Sequence, residues 1–253
     1  MKYLSLFSGA GGGDIAHQHL HDEPWRCVGY VEWTDYCQKV LSQRQKDGLL
    51  QEAPIYGDIR TFINEGFAES YKGMVDCIAA GFPCQPFSVA GKQKGEDDPR
   101  NMWPATLQII QIIKPRYCFL ENVPGLLSNR YFGEILCGLH EAGYDAKWCL
   151  LGANDVGAMH KRKRLWIVAN SKTKHDPAMH DKANRRNTQV QFRGLSFYKE
   201  KNKTWKETVY NFEPCFVRGH DGLATRMDRL KALGNGQVPA CAVAAWNLLV
   251  PKK

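Results

Sequence analysis

The chain has 253 residues and nine cysteines, yet no two cysteines stand at C-x-x-C spacing. That absence argues against a zinc ribbon or a thioredoxin-like redox pair, and no metal site is expected. No segment approaches the ~18 apolar residues of a membrane span. The apolar run at the start, around Tyr3 to Phe7, is too short for the core of a secretory signal. The expectation is a cytoplasmic protein with free thiols and no membrane partner. Internal repeats and low-complexity tracts are also missing. Acidic residues are in deficit, 26 Asp+Glu against 34 Lys+Arg, for a formal charge of +8. Such a surplus fits a polyanionic partner without naming one. A hydrophobic share of 43% excludes wholesale disorder, and the length suits one large domain or one domain with a small lobe.

Short apolar runs alternate with longer mixed segments. Tyr3 to Phe7, Cys27 to Val31, Ile55-Tyr56, Asp76 to Ala80, Tyr117 to Leu120, Ala146 to Leu151 and Leu165 to Ala169 read as strands. Ala105 to Ile113 reads as a helix stopped by Lys114-Pro115. Strands alternating with helices predict an α/β fold, a Rossmann-like doubly wound and mostly parallel sheet. Ligands of such sheets gather at the carboxyl ends of the strands. Here those ends carry the Gly9 to Gly13 loop, Glu32, Asp58, Cys84 and Glu121.

From Lys172 to Lys206 the composition shifts to ten Lys/Arg against three acidic residues, with few apolar side chains. This stretch reads as a small basic lobe or insertion. The expected division is a catalytic and cofactor-binding domain over 1–170, a small lobe over 171–225, and a segment over 226–253 that returns to the first domain through an apolar helix, Ala240 to Val250.

The glycine loop allows a close backbone approach to a ligand. It departs from a strict G-x-G-x-x-G, and a tight βα turn is an equal alternative. Glu32 stands about twenty residues on, where nucleotide-binding α/β folds keep a ribose-binding acid. Asp58 could accept from an adenine amino group or simply cap a helix. In Gly81-Phe-Pro-Cys-Gln-Pro-Phe-Ser88, prolines stiffen the chain on both sides of one thiol. A cysteine at a strand end can be activated as a nucleophile. Glu121 ends an apolar strand, where desolvation raises a carboxylate pKa and allows proton donation. His160-Lys-Arg-Lys-Arg164 is a basic cluster leading straight into a strand.

Taken in order along nearly the whole chain, these motifs resemble those of the DNA cytosine-5 methyltransferases of the bacterial and phage type. Phe-Ser-Gly-Ala-Gly-Gly (7–12), Glu32-Trp33 and Gly57-Asp58-Ile59 are similar to that family's three cofactor motifs. Gly81 to Ser88 matches its nucleophile motif, and Gly91 to Gly95 with Arg100 is similar to the stretch that follows. Glu-Asn-Val (121–123) matches the acid motif, Arg162 and Arg164 the arginine motif, and Gly-Asn-Gly-Gln-Val (234–238) the final one. Three departures stand out: His160 occupies a position usually held by Gln, the motif before Gly234 is not recognisable, and the recognition region is short.

The resemblance implies methyl transfer from S-adenosylmethionine to C5 of a flipped-out cytosine in a specific sequence of double-stranded DNA, by a chain that acts as a monomer. It implies Cys84 as nucleophile, Glu121 as acid, and Arg162 and Arg164 as holders of the base and nearby phosphate. It implies cofactor contacts from Phe7, Ser8, Gly9, Gly11, Glu32, Trp33, Asp58, Ile59, Pro83, Trp103, Asn235 and Val238. Phe7 would stack on the adenine, Glu32 would bind the ribose, and Trp103 and Asn235 would close over the site. DNA contacts would come from Gln85, Ser88, Lys92 and Arg100, with the basic lobe as target-recognition region. Two alternatives remain open: a transfer-RNA methyltransferase, whose Cys-Phe-Thr signature is absent here, and a non-catalytic DNA-binding protein.

Overall fold

The structure, a computed structural model, describes residues 1–83, 101–173, 188–189 and 236–250. Among the described residues, eight strands form one sheet: β1 (Lys2–Leu6), β2 (Arg26–Val31), β3 (Ile55–Tyr56), β4 (Cys77–Ala80), β5 (Tyr117–Asn122), β6 (Tyr144–Leu151), β7 (Arg164–Ser171) and β8 (Thr188–Gln189). Their spatial order is β3-β2-β1-β4-β5-β7-β6-β8. β1 pairs in parallel with β2 and β4, β2 with β3, and β4 with β5. The helices are α1 (Gly12–Ile15), α2 (Asp35–Lys46), α3 (Ile59–Asn64), α4 (Phe67–Ser70), α5 (Trp103–Ile113), α6 (Tyr131–Glu141) and α7 (Pro239–Leu249), and a π-helical turn over Ala16–Leu20 continues α1.

The central strands read as nearly unbroken apolar runs because both of their faces are covered. Leu4, Ile78, Leu120 and Ile167 share one core with Ile109 and Ile113 of α5 and Ile135 and Leu139 of α6. The alternate residues Tyr3, Cys77, Phe119 and Trp166 share a second core with Ile15 of α1, Leu41 of α2 and the buried side of α7. α7 is apolar almost all round, so it cannot stand free in water. It packs back on the sheet, where Trp246 meets Trp25 at 4.6 Å and Tyr117 at 5.3 Å, both edge-on. Among the described residues no helix is long and apolar enough to cross a membrane.

Several expected boundaries move. β5 runs on through Glu121 and Asn122, and β6 starts two residues early, at Tyr144. α5 starts at Trp103 with Pro104 in its first turn, and ends where Lys114 takes a left-handed φ of 51° before Pro115. One strand also departs from the parallel pattern: β7 is antiparallel to both β5 and β6. The lobe expected over 171–225 lies outside the described residues, apart from 171–173 and the short β8.

The register aligns the carboxyl edge. Leu6 pairs with Val31 and with Ala80, Val31 pairs with Tyr56, and Ala80 pairs with Leu120. The next residues, Phe7, Glu32, Gly57, Gly81 and Glu121, therefore stand in one row. The chain turns toward β2 and β3 on one side of β1 and toward β4 and β5 on the other, so the row crosses the topological switch point where such sheets bind ligands. Because β7 runs the opposite way, its first residue, Arg164, enters at this same edge.

Candidate active site

The glycine loop leaves β1 through a run of positive φ angles: 55° at Phe7, 55° at Gly9 and 81° at Gly11. The Gly9 amide donates to Glu32 Oε2 at 2.7 Å, and the Thr34 amide donates to Glu32 Oε1 at 2.8 Å. Glu32 is buried and its carboxylate is thus fixed between the loop and the start of α2. Ser8 bridges inward, its hydroxyl donating to Ser5 Oγ at 2.8 Å and its amide to the Val31 carbonyl at 3.3 Å. A Cβ added to Gly9 would meet none of the described residues within 4 Å, so the space beside its Cα is open. Gly11 is different: a Cβ there would collide with Leu50 at 2.8 Å.

Behind the loop lies a buried polar network. Tyr3 Oη donates to Asp14 Oδ1 at 3.0 Å, and Gln18 Nε2 donates to Tyr3 Oη at 2.9 Å and Tyr30 Oη at 3.0 Å. Arg44 donates to the Ala10 carbonyl and adds a positive charge near Asp14. Burial outweighs these partners and raises the Asp14 pKa from 3.8 to about 6. Folding therefore favours the protonated acid. The stability it contributes is fully present below pH 3.8 and is lost as pH rises through about 6. Relative to Asp14→Asn, the native chain should lose about 3 kcal/mol across that window. Urea unfolding at pH 4 and pH 7 measures this, and parallel pH dependence of the two proteins would refute it.

The acid end is built on β5 and β7. Glu121 Oε1 pairs with Arg164 Nε at 2.9 Å, and both groups are largely buried. Desolvation raises the Glu121 pKa, against the opposing pull of Arg164, Arg162 and a hydrogen bond from the Gln237 amide. Arg162, held at a strained φ of 24°, donates to the Gly236 carbonyl. Asn122 Nδ2 donates to the Phe82 carbonyl at 3.1 Å and its Oδ1 accepts from the Val123 amide at 2.8 Å. That side chain ties β5 to Gly81-Phe82-Pro83, the segment that leads into Cys84.

The fold gathers Phe7 to Gly11, Glu32, Pro83, Glu121, Arg162 and Arg164 along this edge. Trp33 follows Glu32 and is 67% exposed. Asp58 stands at the end of β3, where it caps α3, accepting from the Arg60 amide at 2.9 Å and pairing with its guanidinium at 3.2 Å. Ile59 and Trp103 are buried core residues, and Trp103 packs on Phe82 at 5.4 Å. Val238 precedes α7 and packs on the second core. Cys84, Gln85, Ser88, Lys92, Arg100 and Asn235 lie outside the described residues. Asp14, Asn122 and Gln237 also belong to the site's framework: Asp14 was not singled out in the sequence, and Asn122 and Gln237 stood inside the acid motif and the final motif without a role of their own. For Gln237 the available signal was its place in Gly-Asn-Gly-Gln-Val (234–238), and the structure sets it against the bare backbone of Gly12, Gly13 and Gly81. No cluster of potential metal ligands occurs among the described residues.

Fold and edge together define a doubly wound α/β protein that carries a glycine loop and a fixed carboxylate beside a buried acid. The family model for C-5 cytosine-specific DNA methylases matches residues 1–235. The chain belongs to that family. It is 41% identical over 169 residues to the type II methyltransferase M.NgoMIV of Neisseria gonorrhoeae, covering 66% of this chain and 50% of that one. It is 33% identical over 172 residues to M.HhaI of Haemophilus parahaemolyticus, covering 66% of this chain and 48% of that one. The chain thus spans about half the length of these curated relatives. The DNMT2 of Spodoptera frugiperda, solved as an E260A/E261A/K263A mutant, shares the fold with a TM-score of 0.60 at 23% identity, over 78% of this chain and 56% of that one.

Proposed function

We propose that this chain methylates C5 of cytosine within a specific double-stranded DNA sequence, using S-adenosylmethionine. The observation that carries this reading is the buried Glu121–Arg164 pair, 2.9 Å apart, at the edge where β4 leads into Cys84. The open space beside the Gly9 Cα and the fixed Glu32 carboxylate suit a nucleoside with ribose hydroxyls. Phe7, Ser8, Gly9, Gly11, Glu32, Trp33, Asp58 and Pro83 would hold the cofactor, which when bound supplies a methyl group on a positively charged sulfur. For Asp58 to reach an adenine amino group, its contact with Arg60 must share or yield. Ile59 and Trp103 would act from behind, as packing under the site.

A cytosine stacked in a duplex is out of reach, so the base must be flipped out. The Cys84 thiolate then adds to C6, forming a C–S bond and pushing the C5–C6 electron pair toward C5. Glu121 bonds the N3 and N4 edge and donates a proton to N3 as negative charge develops. Arg164 keeps that carboxyl oriented and faces the O2 side with Arg162. C5 now carries the electron pair that would take the methyl group, the S–CH3 bond breaking with its electrons left on sulfur as a neutral thioether. Loss of the C5 proton to a base restores the double bond as Cys84 leaves and the N3 proton is returned. Gln85, Ser88, Lys92, Arg100 and the basic lobe would meet the DNA, whose base edges are read in the major groove.

Purified protein incubated with methyl-labelled S-adenosylmethionine should label duplex DNA, and bisulfite sequencing should place the label at cytosines within one sequence context. Labelling of transfer RNA and not of DNA, or of neither, would overturn this reading.

A further inference from the structure

Gln237 is a group that the reaction above does not use. A Cβ on Gly12 would stand 2.6 Å from the Gln237 carbonyl oxygen, and one on Gly13 would stand 2.2 Å from its side-chain Oε1. A Cβ on Gly81 would stand 3.0 Å from Gln237 Nε2 and equally 3.0 Å from Glu121 Oε2. The side chain is therefore threaded between bare glycines of two loops. Its oxygen faces the cofactor loop, and its nitrogen shares the space over Gly81 with the acid, to which it donates. Both flanks are anchored. Arg162 holds the Gly236 carbonyl, and α7, buried along most of its length, begins at Pro239.

Glu121 is thus held from two sides. Arg164 takes Oε1 from β7, and the Gln237 amide lies beside Oε2 from the segment before α7. We propose that Gln237 is a positioning residue for the reaction, orienting the second oxygen of Glu121 over Gly81 so that the acid meets the base edge in one geometry. The proposal rests on the assignment of Glu121 as the acid. Among the described residues, the charged groups facing Glu121 are Arg164 and Arg162, both from β7 and its approach. Beside Glu121 Oε2 the end of β4 presents the bare backbone of Gly81, where a Cβ would stand 3.0 Å away. An amide N–H favours the ionised carboxylate, so losing it should raise the pKa of Glu121.

The test is the pH profile of kcat on duplex DNA, compared for the native chain, Gln237→Leu, Gln237→Glu and Glu121→Gln. Gln237→Leu should lower kcat about tenfold, the worth of one hydrogen bond to a charged group. It should move the limb owed to Glu121 to higher pH and leave DNA affinity unchanged. Gln237→Glu places two carboxylates side by side, so one of them should retain its proton to higher pH, adding a limb that the native profile lacks. A limb lost in Glu121→Gln but unmoved in both Gln237 variants overturns the proposal alone. A limb that survives in Glu121→Gln overturns the assignment of Glu121, and the proposal with it. If Gln237→Leu does not fold, Gln237→Glu, which keeps the size of the side chain, decides.

Discussion

Cys84→Ala should abolish methyl transfer, lowering the rate by at least about four orders of magnitude, as loss of a catalytic nucleophile does elsewhere. Of the seven other thiols among the described residues, six are poorly suited to replace it, and the seventh, Cys37, is buried. Burial pushes Cys27, Cys149 and Cys241 up to about 12, and raises Cys77 and Cys118 as well. Cys137 is exposed, but Glu141 beside it raises its pKa. These groups remain thiols at neutral pH, and a thiol is a poor nucleophile. Cofactor affinity should be nearly unchanged, because the Gly9–Glu32 contact is untouched. Labelled-methyl incorporation and calorimetric titration with S-adenosylmethionine measure the two effects. Incorporation within about tenfold of the native chain would overturn the nucleophile assignment.

Glu121→Gln should lower kcat by about two to four orders of magnitude, the usual worth of general acid catalysis, while DNA affinity changes little. The reason is the position of the group. Glu121 is a buried carboxyl in the strand, paired with Arg164, and it does not lie on a surface that would meet phosphates. Glutamine keeps the size and can still accept from Arg164, so the fold should persist, but it has no proton to give. Single-turnover rates and DNA binding, measured separately, distinguish the effects. A variant that mainly lost cofactor affinity would refute the role of Glu121.

Much of the framework was legible in the chain. The five strand ends that form the row were readable because central parallel strands are buried on both faces and therefore apolar throughout. Glu32, Glu121 and the glycine loop were readable because polar residues at the ends of such runs have few roles besides capping or chemistry. Asp58 shows where that logic forks, since a carboxylate before a helix is equally a cap, and the structure has it capping α3. Trp103 and Ile59 show the same fork for apolar residues, which look alike in a sequence whether they face a ligand or a core.

Composition and local pattern thus set the α/β class, the order of elements, and the row of chemical groups at one edge. They act through burial and backbone preference, which neighbouring residues largely determine. The reversed direction of β7, which brings Arg164 to Glu121, follows from sheet pairing across the fold. So do the buried position of Asp14 behind the loop and the insertion of Gln237 between Gly13 and Gly81. These are contacts between residues far apart in the chain, and their energies exist only once the two cores have closed around the sheet.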